Sequence, residues 1–124
     1  MDLNFTQEEN AFRDEVRKFF RENIPPALHK KLIDGGHPSK EDIITWTRIL
    51  NKKGWGVPHW PKEYGGTGWS PAKQHIFLEE LQATPAPSPL AFGVNMVGPV
   101  IYTFGNEEQK KYYLPRIANL DDWW

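Results

Sequence analysis

Apolar residues at helical spacing open the chain. Phe12, Val16, Phe19 and Phe20 recur at the three-to-four-residue period of one helix face. Thr6 and Glu9 are placed to form a capping box, in which side chain and backbone satisfy two orphan N–H groups reciprocally. Acid-then-base pairs four apart, Glu9 with Arg13 and Asp14 with Lys18, are expected on the wet side. Pro25 and Pro26 stop this helix near Asn23. A weaker helical piece follows from Ala27 to Ile33, closed by Gly35 and Gly36. A second firm helix is predicted after Ser39, with Asp42 as partner for the cap. Its apolar face is Ile43, Trp46 and Leu50, and Gly54 leaves it in a left-handed conformation.

From Gly54 to Trp69 the periodicity stops. Pro58, Pro61, Gly65, Gly66 and Gly68 alternate with Trp55, Trp60, Tyr64 and Trp69. Flexible linkers lack large aromatics, so this composition predicts a long ordered loop pinned by its rings. The run Gly65 to Gly68 predicts a tight turn needing positive φ. It lacks the spacing of a phosphate-binding loop. Ser70 and Pro71 read as N-cap and first position of a helix to about Gln82. Three prolines break it. Leu90 to Phe104 holds no charged residue, which predicts a buried helix, kinked or thinned at Gly98 and Pro99. Asn106 caps a last short helix, with Gln109 as box partner, which Leu114 and Pro115 close. The class is all-α, with about five helices and no alternating strand pattern.

Composition narrows the chemistry. The 124 residues are 14% aromatic, including six Trp and seven Phe, enough to build a core. They suit a single domain. A net charge of -1 offers no basic excess for nucleic acid. There is no cysteine, no signal peptide and no apolar run long enough to span a bilayer, so a cytoplasmic protein is expected. His29, His37, His59 and His75 contain no pair three to five apart, so no helical metal pair is predicted. The adjacent acids Glu79–Glu80 and Glu107–Glu108 point in different directions on a helix and read as solvated charge. Asp121 and Asp122 lack further ligands for a cation. No residue is assigned to catalysis, to a metal or to a cofactor. One feature carries chemistry: the uncharged helix is the central core helix, the wall of an apolar ligand cavity with Asn95 and Met96 as polar and adaptable wall elements, or both.

The motifs also resemble a known family. The run GWGVPHWPKEYGGTGWSP (Gly54–Pro71) is similar to the G-W-x-x-P-x-W-P-x-E-Y-G-G-x-G signature of acyl-CoA dehydrogenases. FLEEL (Phe77–Leu81), the uncharged helix and FGNEEQKKYYLPRI (Phe104–Ile117) follow in that family's order. The resemblance implies an orthogonal or up-down helical bundle over 1–124, the N-terminal domain of a longer subunit. A β-domain and a second helical domain would follow, and the segment S-E-P-G-x-G-S-D that opens the flavin-contacting part is expected soon after Trp124. FAD and the catalytic carboxylate belong to those parts, so the resemblance implies that this chain alone is inactive and binds no flavin. It implies α,β-desaturation of an acyl-CoA by the parent, an electron acceptor, and a homo- or hetero-tetramer. Mapped from the G-N-E-E-Q-K run, the positions facing the acyl cavity are Ala91, Phe92, Asn95 and Met96. FGVNMVGPVIYTFG (Phe92–Gly105) is most similar to the pimeloyl-CoA dehydrogenase large subunit, which implies a dicarboxylyl-CoA substrate and a partner small subunit. Leu90–Phe104 has no Lys or Arg, so a distal carboxylate would be met elsewhere or reach solvent. Two further readings compete: a free-standing helical interaction module docking through the aromatic loop, and a helix-turn-helix DNA binder, which the balanced charge opposes.

Overall fold

Local caps decide where the helices begin. Thr6 Oγ1 accepts from the Glu9 N–H at 3.1 Å while the Glu9 carboxylate accepts from the Thr6 N–H at 2.8 Å. Ser39 with Asp42, and Asn106 with Gln109, form the same reciprocal box, and Ser70 Oγ accepts from the Lys73 N–H. The computed structural model describes residues 1–124. Its six α-helices are α1 (Gln7–Asn23), α2 (Pro26–Ile33), α3 (Lys40–Lys53), α4 (Pro71–Ala83), α5 (Gly98–Phe104) and α6 (Glu107–Ala118). A 3-10 turn, Lys62–Tyr64, lies in the aromatic loop, and a π-helical turn, Phe92–Val97, runs directly into α5. There is no strand. The weak Ala27–Ile33 piece is a full helix, which raises the count to six.

Two compact units are present, Met1–His37 with Trp69–Ala86, and Pro38–Gly68 with Pro87–Trp124. In the first, α1 lies against α4. Phe12, Val16, Phe20, Ile76 and Phe77 are buried. Trp69 sits edge-on to Phe12 at 4.9 Å between centroids and tilted against Phe77 at 5.3 Å, and Phe20 meets Phe77 at 5.7 Å. Within this apolar contact lies one carboxylate. Glu80 is 4% exposed and accepts from Arg13 Nη1 at 2.7 Å and from Arg17 Nε at 2.8 Å. Arg13 Nη2 donates to Glu79 at 2.7 Å. This corrects two sequence expectations. Glu80 is not a solvated charge, and Arg13 turns from Glu9 to the acids of α4. A desolvated carboxylate needs charged donors more than an exposed helix pair needs its partner.

In the second unit, Val57, Trp60, Val94, Leu114, Ile117 and Ala118 form the core. Here α6 continues through Pro115 to Ala118, where the sequence suggested an end at Leu114–Pro115. Proline removes one backbone hydrogen bond, but the turn it interrupts buries Leu114, Ile117 and Ala118. Beyond it Leu120 is held in the left-handed region at φ 55°, uncommon for a bulky residue. Its side chain is buried, and Arg116 grips Asp122 through two nitrogens at 2.6 and 2.8 Å.

Candidate functional site: the apolar face of the π turn and α5

The helix that carries all four expected site residues is not a plain α-helix. The Gly98 N–H bonds to the Gly93 carbonyl, five residues back. The next residue, Pro99, has no N–H. Neither group can therefore serve the Val94 carbonyl. Instead the Trp60 indole Nε1–H donates to it at 2.8 Å, buried, and His59 Nε2 reaches the same oxygen at 3.3 Å. The sequence expected a kink or a thinned middle at Gly98–Pro99; the structure resolves this into a widened turn whose freed carbonyl is satisfied from the loop.

The aromatic loop is shaped to deliver that indole. A Cβ on Gly98 would lie 2.2 Å from Trp60 Cζ2, so only glycine lets the ring approach the helix. A Cβ on Gly66 would lie 1.5 Å from the Trp60 carbonyl oxygen. Gly65 and Gly68 take the positive φ expected of them, 106° and 67°. Tyr64 stacks on Tyr102 at 5.7 Å and 15°, Tyr102 meets Trp60 at 5.9 Å, and Lys110 Nζ lies 5.6 Å above the Tyr64 ring. The loop thus clamps one side of the helix through a hydrogen bond and a ring cluster.

The other side is open. Gly93, Val94 and Gly98 are buried, whereas Ala91, Phe92, Asn95 and Met96 are exposed together. Phe92, Met96, Val100 and Phe104, four residues apart, are 63, 56, 58 and 82% exposed. The expectation of a wholly buried helix is therefore corrected. The helix buries the face made of small residues and presents a stripe of large apolar ones. Isolated exposed hydrophobics need no explanation, but a continuous stripe marks a surface made to be covered.

Comparison with known proteins identifies the setting. A family model described as "Acyl-CoA dehydrogenase, N-terminal domain" matches residues 6–121. The chain belongs to the acyl-CoA dehydrogenase family. It is 35% identical over 95% of its length to acyl-CoA dehydrogenase FadE26 of Mycobacterium tuberculosis, of which it covers 30%. Among solved structures it is similar to the Tcur3481–Tcur3483 steroid ACAD, with a TM-score of 0.80, 35% identity, and coverage of 98% of this chain and 31% of that one. The ChsE4–ChsE5 complex from Mycobacterium tuberculosis matches with a TM-score of 0.78 and 34% identity over 98% of this chain and 30% of that one. The chain thus spans about a third of the length of these acyl-CoA dehydrogenase relatives.

Two structural features escaped the sequence reading. The Trp60–Val94 bond joins residues 34 apart, and only the Gly98–Pro99 pair signalled a carbonyl in need of a donor. The Glu80 ion pair was signalled by Arg13 and Arg17, four apart on one helix face. No group of three or more His, Asp or Glu side chains is placed to hold a metal ion, and no helix is long and apolar enough to cross a membrane.

Proposed function

We propose that this chain is the N-terminal domain of an FAD-dependent acyl-CoA dehydrogenase and that the exposed face of the π turn and α5 is one wall of its acyl pocket. The observation that carries the reading is the alignment of Ala91, Phe92, Asn95 and Met96 on a single exposed face, held from behind by the aromatic loop that bears the family signature. Three of the helix starts are unsuited to a flavin diphosphate. The starts of α1, α3 and α6 are occupied by their own caps and carry acids in the first turn, which repel a diphosphate. In this reading the flavin and the catalytic base are assigned to the remainder of the subunit. This chain's contribution is binding and water exclusion: apolar side chains orient the acyl group and keep solvent from it.

The wall favours a bulky apolar acyl group. Its α-helical part alone, Gly98 to Phe104, extends about 9 Å at 1.5 Å per residue, and the π turn lengthens it further. It contains no Lys or Arg to receive a second carboxylate. Similarity to a protein named as a steroid ACAD supports the same choice over a dicarboxylyl chain. The paired names of the two similar complexes support a hetero-oligomeric parent with a second kind of subunit. A substitution tests the wall. Phe92→Ala in the complete subunit should shift the kcat/KM ratio between a ring-bearing and a straight-chain acyl-CoA by about ten-fold, as reshaping an apolar pocket does. An unchanged ratio in a folded, flavin-loaded variant would remove Phe92 and the π turn from the pocket.

A further inference from the structure

The exposed stripe depends on the π turn, and the carbonyl that the π turn frees is served from outside the helix. In an uninterrupted α-helix each residue turns about 100°, so the residue seven before Val100 shares its face to within roughly 20° and the residue eight before is about 80° away. Seven before Val100 is Gly93; eight before is Phe92. The structure shows the reverse arrangement, with Phe92 exposed and Gly93 buried. Gly93 packs so closely that a Cβ there would lie 3.2 Å from Ile117 Cγ2. The extra residue accommodated by the π turn is what rotates phenylalanine into the stripe and glycine out of it. The turn leaves the Val94 carbonyl without the Gly98 N–H, which goes to Gly93, and a buried carbonyl without a donor is costly. The Trp60 indole supplies the closer, buried donor at 2.8 Å, with His59 Nε2 at 3.3 Å from the same oxygen.

We propose that Trp60 is a specificity-determining, positioning residue. By donating to the Val94 carbonyl it holds the π turn, and the π turn decides whether Phe92 or Gly93 faces the acyl group. Trp60 itself stands on the far side of the helix, in the core with Val57, Leu114 and Ile117, and reaches the ligand only through this register. The inference rests on the reading that this face lines the acyl pocket, and the experiment separates the two.

The test replaces Trp60 in the complete, flavin-loaded subunit by benzothienylalanine, which keeps the bicyclic shape and has sulfur in place of the indole N–H, in a His59→Phe background that removes the second nitrogen near the Val94 oxygen and serves as the reference. Loss of the donor should let Gly98 return its N–H to Val94, turn Phe92 away and bring Gly93 forward. Selectivity for a ring-bearing over a straight-chain acyl-CoA should move about ten-fold in the same direction as in Phe92→Ala, through KM more than through kcat. A merely structural role would lower kcat/KM for all substrates alike. If Phe92→Ala shifts selectivity and the donor-less variant does not, the inference about Trp60 fails and the pocket reading stands. If neither shifts it, both fail. The unsubstituted chain gives an independent check whichever variants fold: NMR should detect scalar coupling between the Trp60 indole nitrogen and the Val94 carbonyl carbon. Absence of that coupling overturns the proposal.

Discussion

Gly66→Ala should be among the most damaging single-methyl additions in the chain. The added Cβ would sit 1.5 Å from the Trp60 carbonyl oxygen. That oxygen is backbone, so no rotamer change relieves the overlap; the loop from Pro58 to Gly66 must move. Displacing it pulls Trp60 from Val94 and from the ring cluster with Tyr102 and Tyr64. We expect a loss of about 3 kcal/mol or more, at the upper end for overpacking. The midpoint of thermal unfolding should fall by at least about 10 °C for a chain of this size. Gly35→Ala is the informative control. Its φ is +81°, but nothing lies within 4 Å of the new Cβ. It should cost only about 1–2 kcal/mol, the usual penalty of a left-handed L-residue. Circular dichroism melts of both variants check the contrast. Gly66 has no left-handed φ, so equal losses would mean that the loop relieves the overlap with Trp60 for no more than the cost of one strained residue.

Glu80→Gln should have the second large effect, and its size should depend on pH. The carboxylate is buried and bridges Arg13 and Arg17. Burial opposes its ionisation, but hydrogen bonds from Arg17 and then Arg13 outweigh burial and hold the carboxyl below its ordinary value. A carboxyl depressed in the folded state stabilises the fold fully above its unfolded pKa, about 4.3. That contribution disappears as pH falls through the lower, folded value. At neutral pH the amide weakens both charge-assisted bonds and leaves the largely buried Arg13 guanidinium with Glu79 as its one remaining carboxylate, and we expect a loss of about 2 kcal/mol, in the range for a hydrogen bond to a charged group. Urea unfolding from pH 7 downwards should show the wild-type and Glu80→Gln curves converging below about pH 4. A gap that stays constant to acid would show that Glu80 acts by shape and not by charge.

Much of the fold was legible because its signals are local. The capping boxes at Thr6, Ser39 and Asn106, the glycine exit at Gly54 and the Ser70–Pro71 start are fixed by residues within four positions of each other. What the sequence hid is tertiary. Nothing near Glu80 in the chain reveals that α1 supplies two guanidinium groups across more than 60 residues. Pro115 reads as a stop by its missing N–H, yet the burial of Ile117 and Ala118 carries α6 past it. The candidate site was legible as four positions and illegible as geometry. Ala91, Phe92, Asn95 and Met96 do share a face, but they do so through a π turn whose cause lies at Trp60. An α-helical reading of the same run would place Gly93, not Phe92, beside Val100.

The acyl-pocket wall is tested most directly by photolabelling. The complete, flavin-loaded subunit is irradiated with an acyl-CoA that carries a diazirine on its apolar tail, and the adducts are mapped by mass spectrometry. Adducts are predicted at Phe92, Asn95 or Met96, suppressed by excess unlabelled acyl-CoA. Labelling that competes with substrate but leaves residues 91–104 untouched would contradict the account.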